Sequence, residues 1–72
     1  METLDLHGDT YDSAEQKVHS FIYNNDLPVK IITGNSEKMR KMVADTVTVL
    51  GYYTHYERLT NAGCLVVTEK GI

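Results

Sequence analysis

The chain has 72 residues, which is enough for one domain with a single hydrophobic core. Its 42% apolar and 24% charged residues are ordinary for a soluble globular protein, and no apolar run approaches the roughly 20 residues of a membrane span. The N-terminus lacks the basic start and apolar stretch of a signal peptide, and the single cysteine, Cys64, cannot form an internal disulfide. We therefore expect a cytoplasmic protein without a membrane partner.

The net charge of −3 argues against a protein that binds nucleic acid through bulk positive charge. The acidic residues are spread along the chain, whereas Lys38, Arg40 and Lys41 lie close together. Any site for a polyanion is therefore expected to be local and to include these three residues. The alternative is a solvated helix face whose long side chains cover apolar surface.

The first predicted elements are a strand and a helix. Thr3 to His7 alternates polar and apolar residues, with Leu4 and Leu6 on one face, which is the period of a half-buried strand. After Gly8, either Thr10 or Asp12 can cap a helix that runs from about Tyr11 to Asn24. The helix has an apolar stripe at helical spacing; its members are Ala14, Val18, Phe21 and Ile22.

The next two elements repeat this pattern. Val29 to Thr33 is a short apolar, β-branched run and predicts a buried strand. Asn35 or Ser36 can cap a second helix from about Glu37 to Leu50, with Gly51 as its C′ residue. The buried stripe of this helix is predicted to contain Met39, Met42, Val43, Val47 and Leu50.

The remaining chain predicts a hairpin. A strand is predicted from Tyr52 to Leu59 and a last strand from Cys64 to Thr68. The turn between them is predicted at Thr60-Asn61-Ala62-Gly63. The initial Met1 favours a stand-alone protein. We expect one domain over residues 1–72, folded over 1–69 and with a loose tail over 70–72.

The predicted order is therefore β-α-β-α-β-β. Both β-α-β links predict parallel pairing with right-handed crossovers, so both helices lie on one face of a four-stranded mixed sheet. The expected fold class is α/β, in the form of an α+β open two-layer sandwich. The opposite face of the sheet would carry Thr3, Asp5 and His7.

The end of the first strand carries a candidate catalytic pair. Asp5 and His7 are two residues apart, so they point to the same side of a strand. A carboxylate beside an imidazole raises the pKa of the imidazole and fixes its tautomer, which suits general acid–base catalysis. The structural alternative is that Asp5 caps a nearby backbone group and His7 forms a hydrogen bond within the turn.

The end of the second strand carries a candidate phosphate site. Thr33-Gly34-Asn35-Ser36 opens a helix, and helix N-termini offer free N–H groups and a positive dipole end. Gly34 lets a ligand approach the backbone closely, and Lys38 and Arg40 follow. Because carboxyl ends of neighbouring parallel strands meet at one edge, both turns are expected to form one site for a phosphodiester backbone. The alternative is an ordinary capped β-α turn.

Other reactive residues give weaker signals. His7, His19 and His55 lack metal-ligand spacing, and we expect no structural zinc. Cys64 is interpreted as a small buried residue rather than a nucleophile. The tyrosines of the hairpin could stack on unpaired bases, although strand packing is the simpler explanation; they are Tyr52, Tyr53 and Tyr56.

The motifs resemble those of one family. Leu4-Asp5-Leu6-His7-Gly8, with Thr10 and Ala14 after it, is similar to the opening signature of Smr (small MutS-related) domains. Val29 to Gly34 resembles the second strand and glycine turn of that family, and residues 63–67 resemble its closing strand. The resemblance implies an open sandwich similar to the C-terminal domain of translation initiation factor three. It also implies nucleic-acid binding and, in many members, endonuclease activity.

The resemblance assigns roles to particular residues. Asp5 and His7 match the aspartate and histidine suspected of catalysis in the family, and Thr33 and Gly34 match its glycine turn. The family turn usually continues with a basic residue and a second glycine, whereas this chain has Asn35 and Ser36. Both changes weaken backbone approach and charge stabilisation, so binding is a firmer expectation than cleavage.

The sequence thus predicts a domain that binds DNA or RNA, and the family resemblance implies endonuclease activity as a further, less firm expectation. Asp5 and His7 are the catalytic candidates; the phosphate-binding candidates are Gly8, Thr33, Gly34, Asn35, Ser36, Lys38, Arg40 and Lys41. We assign no cofactor, and the alternative is a divalent metal ion at Asp5. The alternative function is a non-catalytic adaptor that keeps the fold and binds protein. No residue decides between DNA and RNA or indicates the oligomeric state.

Overall fold

A computed structural model describes residues 1–58 and 61–70, with the backbone alone at residues 61 and 62. The elements follow the predicted order of strands and helices. They are β1 (Thr3–Asp5), α1 (Tyr11–Asn24), β2 (Val29–Ile32), α2 (Glu37–Val49), β3 (Tyr53–Arg58) and β4 (Asn61–Thr68).

Both helices begin where the sequence predicts. The hydroxyl oxygen of Thr10 accepts a hydrogen bond from the Ser13 N–H at 3.3 Å, and that of Ser36 accepts one from the Met39 N–H at 3.1 Å. Thr10 and Ser36 are thus the N-caps, rather than Asp12 and Asn35, because their hydroxyl groups satisfy N–H groups that helix geometry leaves without partners.

The strand ends differ slightly from the prediction. β1 and β2 each stop before the polar residues of their turns, so His7 and Thr33 lie beyond the strands. The predicted turn over residues 60–63 is too long, because β4 begins at Asn61. Thr60, the first position of that turn, and Leu59, the last position of the predicted third strand, lie outside the described residues, as do positions 71 and 72 of the predicted tail.

The sheet has the strand order β1-β2-β4-β3. β1 pairs with β2 in parallel, and β4 pairs antiparallel with both β2 and β3. The predicted parallel pairing is therefore confirmed for β1 and β2 but is wrong for β2 and β3, which run parallel without pairing because β4 lies between them. The apolar run of Leu65, Val66 and Val67 explains this order, since a central strand is shielded by a neighbour on each side while the tyrosine-rich β3 can occupy an edge.

The hydrophobic core lies between one face of the sheet and both helices, as predicted. Val29 and Ile31 of β2 and Val67 of β4 are fully buried, and Leu6 extends this layer beyond β1. Burying a side chain of this size stabilises a fold by about 1.5–3 kcal/mol. The buried helix residues are Ala14, Val18, Ile22, Met39, Val43, Thr46 and Val47, of which only Thr46 was not predicted; Phe21, Met42 and Leu50 are partly buried at the margin.

The opposite face of the sheet carries an ion pair over the central strand. The Lys30 ammonium on β2 lies 2.6 Å from a carboxylate oxygen of Glu57 on β3, so the pair crosses β4. Beneath it Cys64 is 5% exposed, which confirms the prediction of a buried cysteine. Burial raises the pKa of the Cys64 thiol, and the charge of Glu57 raises it further, so this thiol is a poor nucleophile.

Candidate functional site

The two candidate turns lie at the same edge of the sheet. β1 and β2 are parallel with Asp5 opposite Ile32, so their carboxyl ends meet. The pairing continues one residue further, because the Leu6 N–H donates to the Ile32 carbonyl oxygen at 2.8 Å. The first turn therefore leaves the sheet directly beside the second.

The imidazole of His7 packs against Gly34. A Cβ atom on Gly34 would lie 3.1 Å from Cδ2 of His7, closer than ordinary van der Waals contact. Gly34 also has a φ of +70°, a conformation that residues with a side chain rarely adopt. The catalytic candidate of the first turn and the glycine of the second are thus in direct contact.

Asp5 holds the backbone of the first turn. Its Oδ1 atom accepts a hydrogen bond from the His7 N–H at 2.9 Å, which corresponds to the structural alternative for Asp5. The turn continues through Gly8, whose φ is +85°, and is closed by a 3.0 Å hydrogen bond from the Asp9 N–H to the Leu6 carbonyl oxygen. Asp5 can therefore position His7, and with it the imidazole, through this hydrogen bond to the backbone.

Between the turns lies an open groove of about 500 Å³. His7 and Gly8 line one side, Asn35 and Ser36 the other, and Tyr11 stands at the rim. Both helices begin beside the groove, so two positive dipole ends are directed towards it. Helix geometry leaves the N–H groups of the first two residues of each helix without intrahelical acceptors, which favours an anion there.

Thr33 and Gly34 contribute structure rather than donors to the groove. The Thr33 and Gly34 N–H groups both donate to the Gly63 carbonyl oxygen, at 2.8 and 3.2 Å. The Thr33 hydroxyl donates to the carbonyl oxygens of Gly34 and Gly63, and the side chain is buried. The candidate donors for a phosphate are therefore the N–H groups that begin α2, at Glu37 and Lys38.

The structure places the three basic residues that are clustered in the sequence in different surroundings. Nη1 of Arg40 lies 3.5 Å from the Gly34 carbonyl oxygen, next to the glycine turn. The Lys38 ammonium lies 5.3 Å from the centre of the Tyr11 ring, at the rim of the groove. Lys41 instead pairs with Asp45 at 3.6 Å on an exposed part of α2. Arg40 and Lys38 thus lie near the site, as does Lys17 through its ion pair with Asp9 of the groove.

The groove also contains residues that the sequence did not mark as site candidates, and Asp9 and Tyr11 are the charged and the aromatic one among them. Asp9 carries negative charge into the groove, but its carboxylate is paired with the Lys17 ammonium at 2.9 Å. Tyr11 is the first helical residue after the first turn and is 43% exposed. The sequence did offer a signal for Tyr11, because this residue begins a predicted helix. The start of the second helix was proposed as a phosphate site by the same criterion.

Among the described residues, no three side chains of His, Cys, Asp or Glu converge as a metal ion would require. Asp5, the candidate ligand, already binds the His7 N–H through Oδ1. The described residues at this edge thus do not form a ligand set for a metal ion. The two helices described, α1 and α2, are also too short and too polar to span a bilayer.

No protein-family model, curated protein or solved structure matches the chain.

Proposed function

We propose that this chain is an Smr-like domain that binds DNA or RNA and holds a phosphodiester group in the groove between His7 and the start of α2. The observation that carries the proposal is the packing of His7 against Gly34. This contact joins the acid–base candidate to the helix start that favours an anion. A cytoplasmic location, where Cys64 stays reduced, accords with this proposal.

Local electrostatics support the proposal although the net charge is −3. Several acidic side chains are neutralised by neighbours, since Asp9, Asp45 and Glu57 each form an ion pair with a lysine. Arg40 and Lys38 lie beside the groove without such a carboxylate partner among the described residues. Two cations without a carboxylate partner among the described residues thus lie near the groove, together with the negative charges of Asp12 and Glu37 in the first turns of the two helices.

The proposed cleavage step is proton transfer by His7. The imidazole accepts the proton of the attacking water or ribose hydroxyl as the new P–O bond forms and the bond to the leaving oxygen breaks. The imidazolium or water then protonates the leaving oxygen. The N–H groups that begin α2, together with Arg40, stabilise the charge on the non-bridging oxygens. Because Asn35 and Ser36 replace the basic residue and second glycine of the family turn, we expect slow cleavage.

The direct test is incubation with labelled single- and double-stranded DNA and RNA, with and without a divalent metal ion. His7→Ala is expected to abolish cleavage and largely spare binding, because the imidazole transfers the proton while other groups hold the phosphate. His19→Ala is the matched control, since His19 is exposed on α1 outside the groove. Undiminished cleavage by the His7 variant would refute the catalytic role.

A second candidate function is a non-catalytic adaptor. Tyr23 and Val49 are 89% and 83% exposed at the other ends of the two helices, where an apolar surface could contact a protein. A salt titration of binding separates the two functions. Affinity that falls steeply with salt indicates phosphate contacts, whereas no binding to nucleic acid at low salt favours the adaptor.

A further inference from the structure

A second groove, of about 350 Å³, lies between α2 and the edge strand β3. Tyr56 stands opposite Leu65 of β4 and Thr54 opposite Val67, so both side chains share the sheet face that carries the core. The helices nevertheless leave Tyr56 48% exposed, because β3 is the outermost strand on its side. The groove thus presents an accessible aromatic ring.

The other wall of this groove is cationic. Arg40 and Lys41 of α2 line it, and the small side chain of Ala44 leaves room between them and the strand. The Lys41 ammonium is only loosely held by Asp45, at 3.6 Å with both side chains largely exposed, so it can turn towards a ligand. An aromatic ring beside two cations matches a nucleotide, whose base stacks on the ring while its phosphate meets the cations.

The second groove adjoins the phosphodiester site. Ser36 lines the first groove and the next residue, Glu37, lines the second, so the two meet at the first turn of α2. Arg40 links them, since it lies 3.5 Å from the Gly34 carbonyl oxygen and also lines the second groove. The Glu37 carboxylate can accept hydrogen bonds from the amino groups of a base but disfavours a second phosphate at this rim.

We propose that the second groove holds an unpaired nucleotide of the strand bound at the first, with its base stacked on Tyr56. This inference rests on the proposed function and adds the class of ligand: nucleic acid with a single-stranded segment next to the bound phosphodiester. Paired bases are already stacked within a duplex, so only an unpaired base can use the tyrosine ring.

The test compares a blunt duplex with the same duplex carrying a short single-stranded overhang, by fluorescence anisotropy. The overhang is expected to tighten binding by wild-type protein about 5- to 100-fold, the range typical of stacking one base on an aromatic side chain. Tyr56→Ala should remove that gain and leave affinity for the blunt duplex unchanged. Tyr56→Phe should retain it, because the ring and not the hydroxyl group stacks.

Tyr53→Ala is the matched control. Tyr53 lies on the same strand with similar exposure, 53%, but opposite Thr68 and thus on the other face of the sheet. This variant should keep the gain from the overhang. Thermal unfolding of each variant identifies any loss caused by misfolding.

The outcomes distinguish this inference from the proposed function. If the wild-type protein binds neither oligonucleotide, the proposed function fails and the inference fails with it. If it binds both equally, or if Tyr56→Ala keeps the gain, only the inference is overturned. Displacement of the overhang by a poly-glutamate peptide, but not by a single-stranded oligonucleotide, would assign the groove to an acidic peptide and also overturn it.

Discussion

Gly34 is the residue on which the candidate site depends most directly. It adopts a φ of +70° and leaves room for the His7 ring, whose Cδ2 atom lies 3.1 Å from the position that a Cβ would occupy. Glycine is thus required at position 34 for two separate reasons, the backbone conformation and the space that the His7 ring occupies. At Gly51 only the backbone conformation favours glycine, since its φ is +90° and no atom lies within 4 Å of the position that a Cβ would occupy.

This contrast gives a matched pair of substitutions. Gly34→Ala and Gly51→Ala should each lower the free energy of unfolding by about 1–2 kcal/mol, the cost of a left-handed conformation for a residue with a Cβ. Gly34→Ala should in addition displace His7 and reduce cleavage of nucleic acid, whereas Gly51→Ala should not. Urea denaturation and a cleavage assay measure the two effects. Equal cleavage by both variants would contradict the proposed role of the contact.

Asp5 allows a second test at the residue scale. If it works through its hydrogen bond to the His7 N–H, Asp5→Asn should keep most activity, because an amide oxygen still accepts that bond. Asp5→Ala should lose activity, since the backbone of the turn is released. The pH profile of cleavage should be the same for wild type and Asp5→Asn. A shifted profile, with Asn as damaging as Ala, would show that the carboxylate acts by its charge on the imidazole.

At the scale of elements, the ion pair between Lys30 and Glu57 ties β2 to β3 across β4. The hydrogen bond and charge of Glu57 raise the pKa of Lys30. The hydrogen bond to Lys30, reinforced by its charge, lowers the pKa of Glu57. The contribution of Glu57 to stability is therefore present above the ordinary glutamate pKa and is lost as pH falls through its lowered value. That of Lys30 is present below the ordinary lysine pKa and is lost as pH rises through its raised value.

The pair is therefore expected to stabilise the fold between about pH 5 and pH 10. Glu57→Gln should lower stability at neutral pH, and its difference from wild type should shrink towards zero as the solution is acidified below about pH 4. Urea denaturation across this range measures the difference. Glu69→Gln, an exposed change at the end of β4, should show no comparable trend. A difference that stays constant with pH would contradict the electrostatic origin.

Local chemistry also explains how well the helices could be predicted. Tyr11–Asn24 was predicted correctly because its start depends on Thr10 and its stripe on residues within the same helix. The pairing of β3 with β4 as a hairpin was also predicted correctly, whereas the second neighbour of β2 was not predictable in this way. Whether β3 or β4 lies beside β2 depends on competition among whole strands for the sheet centre, to which no local spacing corresponds.

At the scale of the whole molecule, the local distribution of charge is expected to affect nucleic-acid binding more than the net charge does. Lys38 and Arg40 lie at the groove, while Lys30 and Lys17 are occupied by carboxylates. Phosphate contacts release counterions, so affinity should fall with salt even though the protein is acidic overall. The site is therefore expected to bind through a few local contacts.

This argument predicts a modest salt dependence. The slope of log affinity against log salt should be about −2 to −3 for duplex DNA, as expected for two or three phosphate contacts. Arg40→Ala should reduce the magnitude of the slope by about 1. Lys70→Ala, an exposed charge beyond β4 at the opposite end of the sheet, should leave it unchanged. An equal reduction by both variants would mean that binding follows net charge rather than this groove.

The sequence by itself determined the elements, their order, the helix-facing core and the two polar turns, because caps, periodicity and glycine breaks are local properties. It also indicated that both turns would share one edge, through the rule for parallel strands. Only the tertiary structure decided that β4 separates β2 from β3, that Asp5 binds the His7 backbone and that His7 packs on Gly34. These features depend on contacts between residues distant in the chain or on one choice among competing hydrogen bonds, and sequence spacing specifies neither.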